Sequence, residues 1–250
     1  MLGGIALLLA VVGVGILVGS VGVGGILLPS VLTMLTGMAI HQSMATSLFT
    51  FIFAGIAGTL FFHRQGSIDW KLAQPVCAGA AVAGFLGAWA NSRLNAPSLA
   101  LILAVIIILA GIYTLRAGRA EMQAAWGSHP HRQRLLLVGI GAVAGFGSGL
   151  TGVGGPVLSV PLMVLSGFSP LTAIGVSQVI QIVGAASGTL GNLRYGSIDF
   201  GAAGLIIVFE IGGVFLGAHI AHIVDTHILK KFVGILCIIV GAVFLFRTIA

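Results

Sequence analysis

Two short clusters stand out for the chemistry they could do, Gly22-Val-Gly-Gly25 and Gly152-Val-Gly-Gly155, each followed by a proline-bearing apolar stretch. A glycine break that leads into a short helix exposes bare backbone N–H groups. The first turn of a helix has unsatisfied donors and a partial positive charge, which suits an anion. Glycine also lets a ligand approach the backbone closely. Gly22, Gly24, Gly25, Gly152, Gly154 and Gly155 are therefore candidate substrate contacts; the alternative is that they only let helices pack, as small residues do in membrane bundles. Polar side chains follow each cluster. Gln42, Ser43, Thr46 and Ser47 open the next helix in the first half, and Ser177, Gln178 and Gln181 stand in the corresponding stretch of the second. In apolar surroundings these groups need partners, which a bound oxyanion or a neighbouring helix could supply.

Further positions carry charged or titratable groups. Glu210 is a carboxylate deep within the run Leu205-Ile-Ile-Val-Phe-Glu-Ile211, where a charge is costly unless neutralised or paired. It is a candidate for proton coupling or a neutral structural group, and its counterpart in the first half is Ala80. Arg64 and Arg194 flank turns that end in Asp69 and Asp199; they read as interfacial anchors beside helix caps, or as charges that draw anions to the pore mouths. His219, His222 and His227 with Asp225 are too local and unrepeated to suggest a metal site. No metal or cofactor is expected. The clusters lack the Lys-Ser/Thr of a phosphate loop and no nucleophile–base set occurs, so an enzyme is not expected.

The elements that hold these residues are apolar. Hydrophobic residues make up 58% of the 250 and charged residues 6%, with mean hydropathy +1.18; a soluble domain carries roughly 25% charged residues. Apolar stretches at 1–19, 40–62, 72–92, 98–115, 200–224 and 228–246 are each long enough to cross about 30 Å of hydrocarbon. The expected fold is an all-α, multi-pass integral membrane protein of the cytoplasmic membrane. The N-terminus lacks a basic region and is expected to be a retained helix. Cys77 and Cys237 lie in apolar segments and suggest no disulfide. Half of the net charge of +6 sits in one loop, which marks a cytoplasmic side and does not point to nucleic acid.

The halves repeat. A shift of 130 residues superposes Gly58-Thr-Leu60 on Gly188-Thr-Leu190, Arg64 on Arg194, Gly66-Ser-Ile-Asp69 on Gly196-Ser-Ile-Asp199, and Phe85-Leu-Gly-Ala88 on Phe215-Leu-Gly-Ala218. The domain reading is a first repeat over 1–115, a cytoplasmic linker over 116–134 and a second repeat over 135–250. Residues 1–37 would measure on the order of 50 Å as one span, too long for a bilayer, and 26–37 are too short to cross alone. A re-entrant hairpin fits both lengths. Three spans then follow in each repeat, so the second copy is expected to be inverted. A kinked first span would give parallel copies. Each arrangement leaves eight of the eleven Lys and Arg inside, and the length argument favours inversion.

With Gly22-Val-Gly-Gly-Ile-Leu-Leu-Pro29, His41-Gln-Ser-Met-Ala-Thr-Ser-Leu48 and Gly66-Ser-Ile-Asp69 in the first half, and Gly152-Val-Gly-Gly-Pro-Val-Leu-Ser-Val-Pro161 and Gly196-Ser-Ile-Asp199 in the second, the chain resembles the TauE/SafE family of sulfite exporters. The resemblance covers essentially the whole chain and implies transport of sulfite or a related sulfur-containing anion. The halves depart from each other at Leu171 against His41 and at Gln178 against Leu48. The expected partners are a small anion and the lipid bilayer, with a homodimer compatible with the sequence. Rival readings are a carrier for a cation or neutral solute, using glycine-loop carbonyls, and a non-transporting membrane scaffold or assembly factor.

Overall fold

The computed structural model describes residues 2–22, 24–95 and 130–224, with isolated helical positions between 98 and 115 and between 228 and 246. The apolar stretches expected at 98–115 and 228–246, linker residues 116–129, and Asp225, His227, Lys230, Cys237 and Arg247 lie outside the described residues or are only sparsely described. Among the described residues there are helices and no strands. The helices are α1 (Leu2–Val21), α2 (Leu27–Thr36), α3 (Ile40–Arg64), α4 (Trp70–Asn91), α5 (Pro130–Thr151), α6 (Pro156–Leu165), α7 (Pro170–Tyr195) and α8 (Phe200–Ile223). A 3₁₀ turn at Gly24–Ile26 precedes α2. Residues 130–134 of the expected linker form the start of α5.

Six of these helices are long and apolar enough to span a membrane: α1, α3, α4, α5, α7 and α8. The other two, α2 and α6, have 10 residues each, about 15 Å of rise. The repeat appears in the helix starts. Ile40 and Pro170 open α3 and α7, and Trp70 and Phe200 open α4 and α8, 130 residues apart in both cases.

The ends of the long helices are written in their capping residues. Asp69 accepts from the Lys71 N–H at 2.9 Å, Asp199 from the Ala202 N–H at 3.0 Å, and Ser169 from the Thr172 N–H at 3.1 Å. Each satisfies a donor that the first turn leaves free. Helix α2 stops at Gly37, whose φ of 73° gives the left-handed C-cap that glycine favours.

Glycines set which helices pack and in which direction. A Cβ on Gly79 would run into Val138, one on Gly145 into Ala80, and one on Gly87 into Phe146 and Leu150. The numbering rises together, so α4 and α5 are parallel neighbours at backbone contact. The repeat-related pair behaves alike: Gly15 meets Glu210 and Gly213, Gly217 meets Ile16, and Gly19 meets Val214 and Ala218, so α1 and α8 are parallel. Helices α3 and α7 run antiparallel. Gly55 lies against Gln178 and Ile182, Gly175 against Phe62 and Ser67, and Gly188 against Leu48.

The bundle therefore has two ends. At one, Asn91 donates to the Leu150 carbonyl and lies 3.0 Å from His41 Nδ1. At the other, Ser67 lies 2.8 Å from His222 Nε2. Helix α1 starts toward the Asn91 end and α2 returns there, since Thr33 of α2 donates to Ser43 of α3 at 3.0 Å. Helix α5 starts toward the Ser67 end, and α6 returns to it, where α7 begins. Each broken segment is thus a hairpin that enters and leaves at one end, and the two hairpins enter from opposite ends.

Candidate functional site

The two hairpin tips meet inside the bundle. All described residues of the first turn, and residues 151–160 of the second, are buried. A Cβ on Gly25 would collide with the Val153 carbonyl and reach 3.1 Å from the Phe51 ring. One on Gly22 would lie 2.8 Å from Val160 Cγ2, 3.3 Å from Pro156 Cβ and 3.5 Å from Ser177 Oγ. One on Gly154 would lie 3.3 Å from Phe51. Gly25, Gly22 and Gly154 thus sit where one half touches the other.

Gly24 does not. Its Cβ would point back at α1, 2.5 Å from Leu17 Cβ and 2.6 Å from the Val14 carbonyl, so Gly24 is the glycine that lets the first hairpin close. Gly152 faces the Met44 carbonyl of α3, and Gly155 faces Ile180 Cγ2 at 3.2 Å.

Ile26 and Gly155 precede α2 and α6 and supply no side-chain cap, as Ala39 supplies none to α3, whereas α4, α7 and α8 are capped by Asp69, Ser169 and Asp199. Two buried helix N-termini without side-chain caps therefore approach each other in the interior, where first-turn N–H groups most need an acceptor.

The polar side chains divide into committed and uncommitted groups. Gln178 donates to the Val18 carbonyl in the last turn of α1 at 3.1 Å, and Gln181 to the Phe51 carbonyl at 3.2 Å. Gln181 and Phe51 are equivalent under the 130-residue shift, so the glutamine ties the two halves where α3 crosses α7. Gln178 Oε1 has no hydrogen-bond partner, and Gly58 leaves room for it. Ser177 donates to its own Ile174 carbonyl at 2.7 Å. Thr46 lies away from the turns and accepts from the Asp199 N–H at 3.0 Å, joining α3 to the start of α8.

Ser47 is uncommitted: it is fully buried and its hydroxyl has no partner. It lies between Met44 and Phe51 on one face of α3, and those two residues contact Gly152 and Gly154. Ser159, near the start of α6, is likewise fully buried with an unpartnered hydroxyl, as is Ser148 of α5 at 1% exposure. The sequence concealed Ser148 and Ser159, because their equivalents in the first half are Val18 and Pro29. A search for polar residues in only one copy would have found them.

The charged candidates lie elsewhere. Glu210 is fully buried in α8, and neither of its oxygens has a hydrogen-bond partner. Arg64 and Arg194 are exposed at opposite ends, Arg194 with its guanidinium 5.7 Å from the Tyr195 ring centre. His222 is occupied by Ser67 and by the Ala218 carbonyl at 2.7 Å. A cavity of about 470 Å³ opens at the Ser67 end, lined by Ser67, Asp69, Trp70, Lys71 and Thr172 among others; none of the predicted substrate contacts lines it.

Apolar spanning helices around two broken ones that meet in the interior are the architecture of a multi-pass membrane transporter. Comparison with known proteins gives the family. The chain belongs to the sulfite exporter TauE/SafE family, whose profile it matches over residues 2–114 and 137–250. It is similar to the probable membrane transporter protein YdhB of Bacillus subtilis (strain 168), at 28% identity over 240 residues, 93% of this chain and 96% of that protein. YunE, another probable membrane transporter protein of that organism, is 25% identical over 257 residues and 94% of both chains. A probable membrane transporter protein of Xylella fastidiosa (strain Temecula1 / ATCC 700964) is 31% identical over 113 residues, 44% of this chain and 43% of that one. No solved structure matches this chain. The protein is a membrane transporter and not an enzyme.

Proposed function

We propose that this transporter carries a small sulfur-containing anion, sulfite or an organosulfonate-related ion, across the cytoplasmic membrane, and that the anion binds between the two glycine turns. The observation that carries this reading is the pair of helix starts without side-chain caps, at Ile26 and Gly155, buried where Gly22 and Gly25 of the first hairpin touch Pro156 and Val153 of the second. Two sets of first-turn donors with their partial positive charges favour one negative ligand over a cation or neutral solute. Ser47 and Ser159 add hydroxyl donors that have no other partner. Gly22 and Gly25 already touch the opposite half, so the turns must part for an anion to enter, and parting toward one end or the other is alternating access.

We read the two repeats as inverted, because the repeat-related helices α3 and α7 run antiparallel and the hairpins enter from opposite ends. The Ser67 end carries Arg64, Lys71, Arg132 and Arg134, and the Asn91 end Arg93 and Arg194; this balance makes the Ser67 end cytoplasmic. Single cysteines in place of Gln123, Gly196 and Lys230, in a background without Cys77 and Cys237, test it with an impermeant thiol reagent. Q123C and K230C are expected to label from inside and G196C from outside. Labelling of G196C only from the cytoplasmic side rejects inversion.

Removing the free hydroxyls tests the site. Ser47→Ala and Ser159→Ala break no hydrogen bond within the protein, so thermal stability is expected to hold. A charge-assisted hydrogen bond is worth about 1.5–3 kcal/mol, so sulfite affinity is expected to fall roughly ten- to a hundredfold. Calorimetric titration of the purified variants reads this. If both bind sulfite as tightly as the parent, the anion site is not here.

A further inference from the structure

Aromatic rings close the Ser67 end of the bundle. Phe61 and Phe62, in the last turn of α3, have ring centres 5.5 and 4.9 Å from that of His222 on α8, and Phe61 lies 6.2 Å from Phe215. Phe62 is fully buried and lies over Gly175 of α7, where a Cβ would stand 3.3 Å from its ring. Three helices meet on this cluster. The counterparts of Phe61, Phe62 and His222 under the 130-residue shift are Gly191, Asn192 and Ser92, so the repeated fold does not require rings at these positions.

The cluster stands between two parts of the molecule. Inward, Phe62 shares one apolar core with Val21, Ile26, Val153 and Val160 of the two hairpins. Outward, the same core includes Ile68, which lines the cavity of about 470 Å³ together with Ser67, Asp69, Lys71 and Thr172. The cavity and the glycine turns thus border one apolar plug.

A hydrogen bond latches the plug. His222 Nδ1 lies 2.7 Å from the Ala218 carbonyl of its own helix, so Nδ1 carries a hydrogen. In the neutral ring Nε2 is then an acceptor, and Ser67, 2.8 Å away, donates its hydroxyl proton to it. A hydroxyl has no second proton to give. Ser67 also lines the cavity, where Lys71 supplies positive charge and the Asp69 carboxylate is engaged by the Lys71 N–H at 2.9 Å. An oxyanion in that cavity therefore competes with His222 for one donor.

We propose that Ser67 and His222 latch a gate made by Phe61 and Phe62, and that an oxyanion in the cavity opens it by accepting the Ser67 hydrogen bond in place of His222. Release removes a polar tie between α8 and the α3–α4 turn and leaves the rings free to part. That the opening ligand is the transported anion rests on the anion-transport reading; that the latch closes this end does not.

Thiol accessibility tests the gate. Ser177→Cys, at a side chain that borders Gly22, is placed in a background without Cys77 and Cys237 and treated with an impermeant thiol reagent from the Ser67 end. Labelling is expected to be slow in this parent and to rise roughly two- to tenfold with Ser67→Ala, the population shift that one lost hydrogen bond allows. Phe62→Ala removes the plug itself and is expected to label faster still, while Ser67→Thr keeps the hydroxyl and should label at the parent rate. A folded Ser67→Ala that labels as slowly as the parent, or a Ser67→Thr that labels like Ser67→Ala, overturns the latch. Methanesulfonate then serves as the oxyanion, because sulfite itself attacks thiol reagents. It is expected to speed labelling of the parent and to leave Ser67→Ala unchanged. Acceleration of both alike, or of neither, overturns opening by an anion at Ser67. If calorimetry finds no anion bound at the glycine turns, the transport reading fails, and labelling of Ser67→Ala still decides the gate.

Discussion

Gly-Val-Gly-Gly is written twice in this chain and folds two ways. The first glycine is left-handed in both copies, Gly22 at φ 76° and Gly152 at φ 65°. The second glycine differs: Gly154 is left-handed at φ 88°, while Gly24 is not and opens a 3₁₀ turn. The next residue accounts for this. Pro156 has a fixed φ and no N–H, so it begins α6 at once, and the chain must finish reversing before it with a second left-handed glycine. Ile26 imposes no such limit, so the first turn eases through 3₁₀ residues and proline waits until Pro29. The shared letters encode where a helix breaks, and the residue that follows decides the shape of the break.

Alanine placed along the two turns breaks this comparison in a predictable order. Gly152→Ala is expected to cost most, about 2–5 kcal/mol, because a left-handed backbone and the Met44 carbonyl of α3 both oppose it. Gly24→Ala follows at about 1–3 kcal/mol, from collision with α1 alone. Gly154→Ala is expected to cost about 1–2 kcal/mol, mainly backbone strain, since its nearest neighbour is an aromatic edge at 3.3 Å. Gly155→Ala, with φ −58° and a side-chain methyl as its neighbour, should cost less than about 1 kcal/mol. Thermal unfolding in detergent gives the ranking. A tolerated Gly24→Ala beside a damaging Gly155→Ala would mean that the turns are not built as described.

Much of this architecture was legible because it depends on length and on punctuation. The two short helices follow from the distance between glycine break and next span, and the capping roles of Asp69 and Asp199 follow from their position before an apolar run. What the sequence concealed depends on facing. Gly24 and Gly25 are adjacent and alike in type, yet one packs inward on α1 and the other meets the opposite half. Thr46 and Ser47 are likewise adjacent, yet Thr46 turns to the start of α8 and Ser47 to the second hairpin. Gln178 and Gln181 could serve an oxyanion or a neighbouring helix, and their amides donate to backbone carbonyls of the other half.

The smallest expected effect runs against intuition and sharpens the comparison most. Pro156 begins α6 at the proposed anion site but brings no N–H, so that helix start offers one donor fewer than it could. Pro156→Ala restores that donor at a position where the helical φ is already allowed. Stability is expected to fall by about 0.4–1 kcal/mol, since alanine leaves the unfolded chain freer. Sulfite affinity is expected to rise, by roughly two- to tenfold for one added hydrogen bond of about 0.5–1.5 kcal/mol. Pro161→Ala is the control. It lies inside α6, where the new N–H finds a carbonyl of its own helix, so affinity should not change. If a folded Pro156→Ala binds sulfite no more tightly than the parent while Pro161→Ala behaves the same way, the first-turn donors of α6 do not face the anion, and binding at the paired helix starts is wrong.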